Sequence, residues 1–332
     1  MCQVLTARKL NFFLRCIFSV ALIAFVLWKV NWSALGQVLA HLHPGWTLAG
    51  WVMTSLPIAG LALRWRIFLR AQGIELPFGT IFSLTWAGQF FNSVLPGSTG
   101  GDVVKIYQLC RLTPDRKAAA AATVLADRIT ALFALLVLAG IGLIINPLPF
   151  HVLSIQSLAS RKTACWALLA LVITLVIAWL LFRAMRDTFW SGRLLRTIAA
   201  AKKSFIFDWR WISAFFLALA MHLLTIMIAW LFARALGLSI TYLQIFLMVP
   251  VIAVLVMLPL TINGHGLREL LLIAYFTQMD ISLTNHYQAG VRETAIAFSL
   301  LMVTNDLLWS LPGGIWYLTR FKSPRQEALQ SP

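Results

Sequence analysis

The sequence predicts an all-α, polytopic membrane bundle with six full transmembrane helices and two re-entrant broken-helix hairpins, arranged as inverted repeats. Three observations predict this class. Of the 332 residues, 60% are hydrophobic and 11% are charged, whereas soluble domains carry about 25% charged residues. The mean hydropathy is +0.84. Several apolar runs approach the ~20 residues that cross the bilayer as a helix, which satisfies its own backbone hydrogen bonds. A soluble enzyme is therefore excluded.

Six apolar runs are long enough to cross a membrane, allowing for tilt. These candidate spans are residues 11–29, 45–68, 119–145, 163–182, 210–233 and 289–318. The first run follows Arg8 and Lys9, as a signal peptide would, but Arg15 interrupts it and no clear cleavage site follows. We therefore expect residues 11–29 to be retained as the first span.

Two further segments, 78–111 and 242–278, contain apolar runs that stop at clusters of proline and glycine and then restart. The first stops at Leu95-Pro96 and the second at Leu258-Pro259. No arm of either segment has ~20 apolar residues, and proline breaks a helix, so hairpins fit better than straight crossings. Irregular backbone at membrane depth must be surrounded by protein or water. A cavity is therefore expected beside each hairpin.

The basic residues orient the spans. The chain has 27 Lys and Arg against 11 Asp and Glu, a net charge of +16, and most basic residues lie in short loops beside apolar runs, which marks the cytoplasmic side. Residues 146–160 carry no Lys or Arg and are expected outside. Both ends of the first hairpin are expected on the cytoplasmic side, because basic residues flank it. These residues are Arg64, Arg66, Arg70, Arg111, Arg116 and Lys117. We expect a bacterial cytoplasmic (inner) membrane protein with both termini cytoplasmic. No basic soluble module remains for nucleic acid.

An internal repeat relates the two halves. Residues 68–73 and 232–237 match at four of six positions, 164 residues apart. A spacing of 163 aligns the two Leu-Pro pairs. It also aligns Gly101 with Gly264 and Lys105 with Arg268. Three crossings per half would turn the second copy upside down. We predict one membrane domain over 1–332, with repeats 10–145 and 163–318 and a short cytoplasmic tail, 319–332.

A glycine-rich turn before a short helix is the strongest local motif. Unpaired N–H groups at a helix N-terminus attract anions, and glycine lets a ligand approach the backbone. The predicted residues for a head-group phosphate in the first hairpin are Gly97, Ser98, Thr99, Gly100, Gly101 and Lys105. Those in the second hairpin are Asn263, Gly264, Gly266 and Arg268. The two positive helix ends are expected to meet near the midplane. A plain helix break, with small residues that only allow packing, is the alternative.

Charged residues inside the apolar segments are expected to pair around a polar interior, because even the low estimates put an unpaired charge at ~2.5–3.5 kcal/mol. The residues in question are Asp102, Asp127, Arg128, Glu269, Arg292, Glu293 and Asp306. For Asp127-Arg128 and Arg292-Glu293, near the starts of spans, snorkelling to the interface is the alternative. Asp306 lies in the middle of a span, and we expect it to face inward in a coupling or cation-pairing role.

Catalytic and metal signatures are lacking in the sequence. There is no H-E-x-x-H and no G-x-S-x-G, and the four cysteines are scattered without a C-x-x-C. We predict neither a cofactor nor a metal, and no enzymatic activity. The alternatives are an intramembrane enzyme or enzyme partner that handles a polyprenyl-phosphate or glycolipid, and a membrane scaffold.

The two glycine motifs, with Asp127-Arg128 between them, resemble those of the flippase-like transmembrane family, the lysylphosphatidylglycerol synthase transmembrane-region family. The resemblance extends from the first span to Tyr317. It implies transfer of a lipid head group between leaflets, with membrane lipids as partners. A separate lipid-modifying enzyme is a further candidate partner. His265 stands where the family often has a small residue. The chain ends at Pro332 without the soluble aminoacyltransferase domain, so we expect a stand-alone member that does not transfer lysine.

Overall fold

The computed structural model describes residues 31–94, 100–145, 209–257, 264–279, 281 and 290–320. Within these ranges the chain forms ten α-helices. They are α1 Trp32–Ala40, α2 Pro44–Met53, α3 Ser55–Ala71, α4 Phe78–Val94, α5 Gly100–Leu112, α6 Lys117–Ile145, α7 Trp209–Ala235, α8 Tyr242–Met257, α9 Leu267–Gln278 and α10 Val291–Arg320. A 3-10 turn, Pro114–Arg116, precedes α6. The predicted all-helical class is confirmed for these residues.

Four of the helical segments are long and apolar enough to cross a membrane. They are Pro44–Ala71, Pro114–Ile145, Trp209–Ala235 and Val291–Thr319. These segments correspond to the spans predicted at 45–68, 119–145, 210–233 and 289–318, which are confirmed as apolar helices. The predicted spans 11–29 and 163–182 lie outside the described residues, as do Gly97, Ser98, Thr99 and Asn263.

The first long segment bends between α2 and α3. Pro57 has no N–H to donate to the carbonyl of Met53, and its ring crowds that carbonyl. At the bend, the Thr54 hydroxyl donates to the carbonyl of Gly50 at 2.9 Å. The bend therefore places a buried hydroxyl in the interior of the bundle.

The arms of the first hairpin, α4 and α5, fold back on each other. The N–H of Gly101 donates to Oδ1 of Asn92 at 2.8 Å. One turn further along α5, Lys105 lies beside Gly88, where an added Cβ would be 2.7 Å from the lysine Cε. From Gly101 to Lys105 the chain advances along α5, while the contacted residue on α4 moves back from Asn92 to Gly88. The two helices are therefore antiparallel.

Each hairpin packs against the long helix of the other half of the chain. The first arm of one hairpin, α4, lies along α10, and the first arm of the other, α8, lies along α6. Glycine permits a close approach in both places. A Cβ on Gly313 would lie 2.4 Å from the carbonyl oxygen of Trp86, and one on Gly142 would lie 3.0 Å from that of Leu247.

Two identical turns lead into these first arms. The helices α3 and α7 both end in a glycine with positive φ, 68° at Gly73 and 72° at Gly237. The residue after each glycine donates its N–H to the carbonyl five positions earlier, at 2.9 Å and 3.0 Å respectively, which is the Schellman arrangement. The following arms start at Phe78 and Tyr242. Both the turns and the starts of the arms are thus 164 residues apart.

Two large hydrophobic clusters, and a small one around Phe68, form the core of the described residues. One joins α3, α4, α5 and α6 around Trp65, Ile81 and Leu109. The other joins α7 to α10, with contributions from α1 and α6, around Phe232 and Tyr275. Between these two clusters, α3 packs on α7 and α4 packs on α10.

Replacing Gly313 by alanine is expected to destabilise the bundle. The new Cβ would meet the backbone of Trp86 and Ala87 at 2.4 to 2.9 Å, so α4 and α10 must separate, at a cost of about 1–3 kcal/mol as for other overpacked sites. Gly140→Ala is the matched control, because nothing lies within 4 Å of its added Cβ. Thermal unfolding of the purified protein in detergent should show a lower midpoint for Gly313→Ala only. Equal midpoints for the two variants would contradict the close contact.

Candidate functional site

A polar cavity of about 290 Å³ lies where the α2–α3 bend, α4, α7 and α10 meet. Its polar lining residues are Thr54, Gln89, Ser93, Thr225, Asn305, Asp306 and Ser310. The hydroxyls of Thr54, Ser93, Thr225 and Ser310 donate to backbone carbonyls of their own helices. The side chains of Gln89 and Asp306 have no backbone hydrogen bond in the described chain, and lipid offers such groups no hydrogen bonds. The cavity is thus a candidate site for a polar group.

Asn305 and Asp306 carry the polar chemistry of this cavity. Asn305 is 4% exposed, and its amide lies 3.1 Å (Nδ2) and 3.2 Å (Oδ1) from the Thr54 hydroxyl, which ties α10 to the bend. Asp306 keeps exposed surface and lines the cavity. Its closest polar neighbour in the described part of the chain is Nδ2 of Asn305, at 3.5 Å from Oδ1. The Asp306 carboxylate has no cation within 4 Å there.

Among the described residues, Arg268 is the cation whose charge reaches Asp306. It lies in the first turn of α9 and is half-buried. Its positive charge acts on the Asp306 carboxylate, although the two side chains do not form a direct ion pair. A pair of opposite charges held apart in this way can be separated by a competing ion at lower cost than a pair in contact.

Glu269, the next residue, is bound from two sides. Its Oε2 accepts from the N–H of Gly266 at 2.6 Å, and its Oε1 accepts from the Ser299 hydroxyl at 2.7 Å. A carboxylate at a helix N-terminus satisfies the N–H groups there and offsets the positive end of the helix dipole. Gly266 and Gly264 both have positive φ, 84° and 75°. The N-terminus of α9 is therefore already capped by the chain itself.

A second group of charges surrounds the first hairpin. Arg64 on α3 binds Asp127 on α6 through two contacts, Nε to Oδ1 at 2.6 Å and Nη2 to Oδ2 at 3.1 Å, with side chains only 3% and 8% exposed. Arg128 binds Asp102 on α5 at 2.6 Å, and the arginine is 45% exposed. Asp127 and Arg128 are adjacent, but each pairs with a different helix.

Lys105 lies between these two ion pairs and belongs to neither. It is 8% exposed, and its ammonium sits 5.1 Å from the centroid of the Trp65 ring. That ring is fixed by a hydrogen bond from its Nε1 to the Thr123 hydroxyl at 3.1 Å. No carboxylate or hydrogen-bond acceptor of the described chain contacts the ammonium. A cation–π contact is worth up to about 2 kcal/mol. It therefore offsets only part of the free energy that burying the Lys105 charge costs.

The structure therefore brings the sequence-predicted residues into separate groups. Lys105, Asp102, Asp127 and Arg128 share the first group, while Arg268, Glu269 and Asp306 share the second. No contact among the described residues joins Lys105 to Arg268.

The last predicted pair lies elsewhere. Glu293 is 8% exposed and accepts from the backbone N–H of Asn31 at 3.2 Å, which attaches the start of α10 to the start of α1. Arg292 beside it is half-buried. Of the predicted backbone donors, the N–H of Gly101 and that of Gly266 already have acceptors within the chain, Asn92 and Glu269.

The chain matches the lysylphosphatidylglycerol synthase transmembrane-region family over residues 12–303. It belongs to this family. A UPF0104 membrane protein of Pyrococcus horikoshii is 27% identical over 119 residues, which cover 35% of this chain and 36% of the relative. The match thus spans about a third of that relative's length. The resemblance predicted from the two glycine motifs is confirmed, and the chain is a multi-pass membrane protein of the family.

For this family member, reasoning from the sequence missed Arg64. It was expected among the cytoplasmic loop charges, but it lies within α3 and is 2% exposed. Helical spacing could have revealed it. Arg64 shares a helix face with buried Phe68 and Ala71, whereas Arg66 and Arg70 share another face.

Replacing Asp127 by asparagine is expected to destabilise the protein strongly, because Arg64 would remain buried without an anion, which costs about 3–5 kcal/mol. Asp102→Asn is the matched control, since its partner Arg128 is 45% exposed and such pairs contribute about 0–1 kcal/mol. Thermal unfolding in detergent should show a large fall in midpoint for the first variant and a small one for the second. Similar midpoints would refute a dominant role for the buried pair.

Proposed function

We propose that this protein moves the head group of an anionic phospholipid, or of a lipid-linked phosphate, between the leaflets of the bacterial cytoplasmic membrane. The observation that carries the proposal is the cavity between α3, α4, α7 and α10, whose one ionisable lining residue, Asp306, is reached by the charge of Arg268. The buried Lys105 is a second cation whose compensation is incomplete. An anionic phosphate is the partner that both cations lack.

The size and depth of the cavity suit a head group. Ligand pockets range from about 300 to 1,000 Å³, so a cavity of about 290 Å³ fits a small polar group and not the acyl or prenyl tails, which would stay in lipid. Asp306 lies near the middle of α10, Val291–Arg320, and Thr225 lies near the middle of α7, Trp209–Ala235. If both helices cross the bilayer, the cavity is near its midplane.

The two interrupted segments are proposed to be re-entrant hairpins. Their arms have 17 and 13 residues in α4 and α5, and 16 and 12 in α8 and α9. At 1.5 Å per residue the longest is about 26 Å, short of the ~30 Å hydrocarbon core. The antiparallel contact of α4 with α5 supports a return of the chain to the side from which it entered.

The inverted repeat is likewise proposed, and it is supported by matched local structure. The turns at Gly73 and Gly237 have the same φ and the same hydrogen bonds, and the hairpin of each half packs against the last helix of the other half. In this arrangement, with both termini cytoplasmic, rocking of one half against the other would open the cavity to each leaflet in turn.

The phosphate would be held by side chains more than by the helix ends. The N–H groups of Gly101 and Gly266 already bind Asn92 and Glu269, so the side chains of Lys105 and Arg268 remain as donors, in two separate groups of charges. The family description names the transmembrane region of a phospholipid synthase, which supports a lipid as the partner. A separate lipid-modifying enzyme could supply or use that lipid.

Replacing Lys105 by methionine is expected to reduce lipid transport at least tenfold while the protein stays as stable as the wild type, or becomes more stable. The variant removes a buried, incompletely compensated charge without leaving a buried carboxylate unpaired. Transport is measured in reconstituted vesicles as the loss of NBD-labelled phosphatidylglycerol from the outer leaflet, read by dithionite quenching. Arg268→Gln should give a similar loss of transport.

The matched control is Arg70→Gln, which removes an exposed cation at the end of α3 and should leave transport unchanged. Normal transport by both Lys105→Met and Arg268→Gln would end the proposal. The mass of the lipid is measured in the same vesicles. A lipid whose mass changes would favour the alternative of an intramembrane enzyme.

A further inference from the structure

The cavity acid, Asp306, has no ion pair in the described chain. Its carboxylate lines the cavity and accepts one long hydrogen bond, from the Asn305 amide at 3.5 Å. It is the only ionisable side chain among the lining residues. A membrane-depth carboxylate without a partner is costly, so its presence requires a cation at some stage of the protein's working cycle.

Among the charged and titratable groups that the structure describes on the elements around Asp306, Arg268 is the cation whose charge acts on it, and His265 lies just before α9. On α9, Glu269 is bound by Gly266 and Ser299. Neither α1 nor α4 has an ionisable residue. On α3, Arg64 is held by Asp127, and on α7, His222 bonds to the carbonyl of Ala131. The remaining such groups on α3, α7 and α9 are Arg66, Arg70, Arg210, Arg234 and Tyr275.

Binding of a phosphate would disturb this balance. This step rests on the proposed function, in which Arg268 takes part in holding the head-group phosphate. Once the phosphate occupies the cavity, the Asp306 carboxylate that lines the cavity is left beside a second anion. Two like charges there disfavour each other's ionised forms. Charge balance is restored if Asp306 takes up one cation as the lipid arrives.

We infer that this cation is a proton, and that Asp306 binds one proton with each head-group phosphate and releases it with that phosphate. A proton adds to the carboxylate to give a carboxylic acid, and it comes from the aqueous compartment to which the cavity is open. A metal ion would need several oxygen ligands. The nearest ones, on Asn305 and Thr54, are engaged with each other, and Arg268 would repel a second fixed cation.

The proton can be counted directly. Isothermal titration calorimetry of dihexanoyl phosphatidylglycerol binding to the purified protein, in buffers of different ionisation enthalpy, gives the number of protons taken up per bound lipid. We expect about one for the wild type and close to none for Asp306→Asn, because linkage requires the titrating group. Arg268→Lys keeps the positive charge and should keep the proton uptake. Asp115→Asn, an exposed acid, should behave as the wild type.

A second measurement separates this inference from the proposed function. Dicyclohexylcarbodiimide reacts with protonated carboxyl groups in apolar surroundings, and mass spectrometry locates the adduct in the wild-type protein without any lipid. Labelling of Asp306 should fall as the pH is raised from 5 to 8. Failure of phosphatidylglycerol to bind, with this pH-dependent labelling present, would contradict the lipid proposal and support the proton site. Lipid binding without proton uptake, or equal uptake by Asp306→Asn, would overturn the proton inference.

Discussion

Compensation of buried charge is the constraint on which the rest of this structure depends, because a membrane-spanning bundle offers its ions no water. The chain meets it in three ways. Arg64 and Asp127 form a buried, two-contact ion pair that joins α3 to α6. Glu269 accepts hydrogen bonds from an N–H at a helix N-terminus and from the hydroxyl of Ser299. Lys105 and Asp306 are left with partial compensation only. The first two arrangements hold helices together, whereas the third leaves charge available to a ligand.

The cavity exists because two backbone features hold its walls at different distances. Glycine at position 313 brings α10 against the backbone of Trp86, so that α4 and α10 are fixed together on one side. On the other side Pro57 breaks the helix, and the resulting bend at Thr54 turns a hydroxyl toward Asn305. The polar site is thus a consequence of one close approach and one interrupted helix.

Much of the fold could be predicted from the sequence, because span length and turn chemistry are local properties. The four described spans and the matched turns at Gly73 and Gly237 depend on hydropathy and on a positive φ within a few residues. The pairing of charges is not local. Asp127 and Arg128 project about 100° apart on α6 and meet different helices, so their partners follow from which helices are neighbours. Arg64 was misplaced for the same reason, since its position near the end of a span concealed the face on which it lies.

The distribution of charges also differs between the two halves. Around the first hairpin two contact ion pairs fix α3, α5 and α6 to one another. Around the second hairpin, the charge of Arg268 acts on Asp306 without a contact ion pair. The proposed rocking of one half against the other would need a half that keeps its shape and a site whose charges can be rearranged at low cost. Asp306 in α10 and Asp127 in α6 occupy positions that the repeat does not align. If the two halves are inverted copies, they therefore share a fold, but their charged residues have different roles.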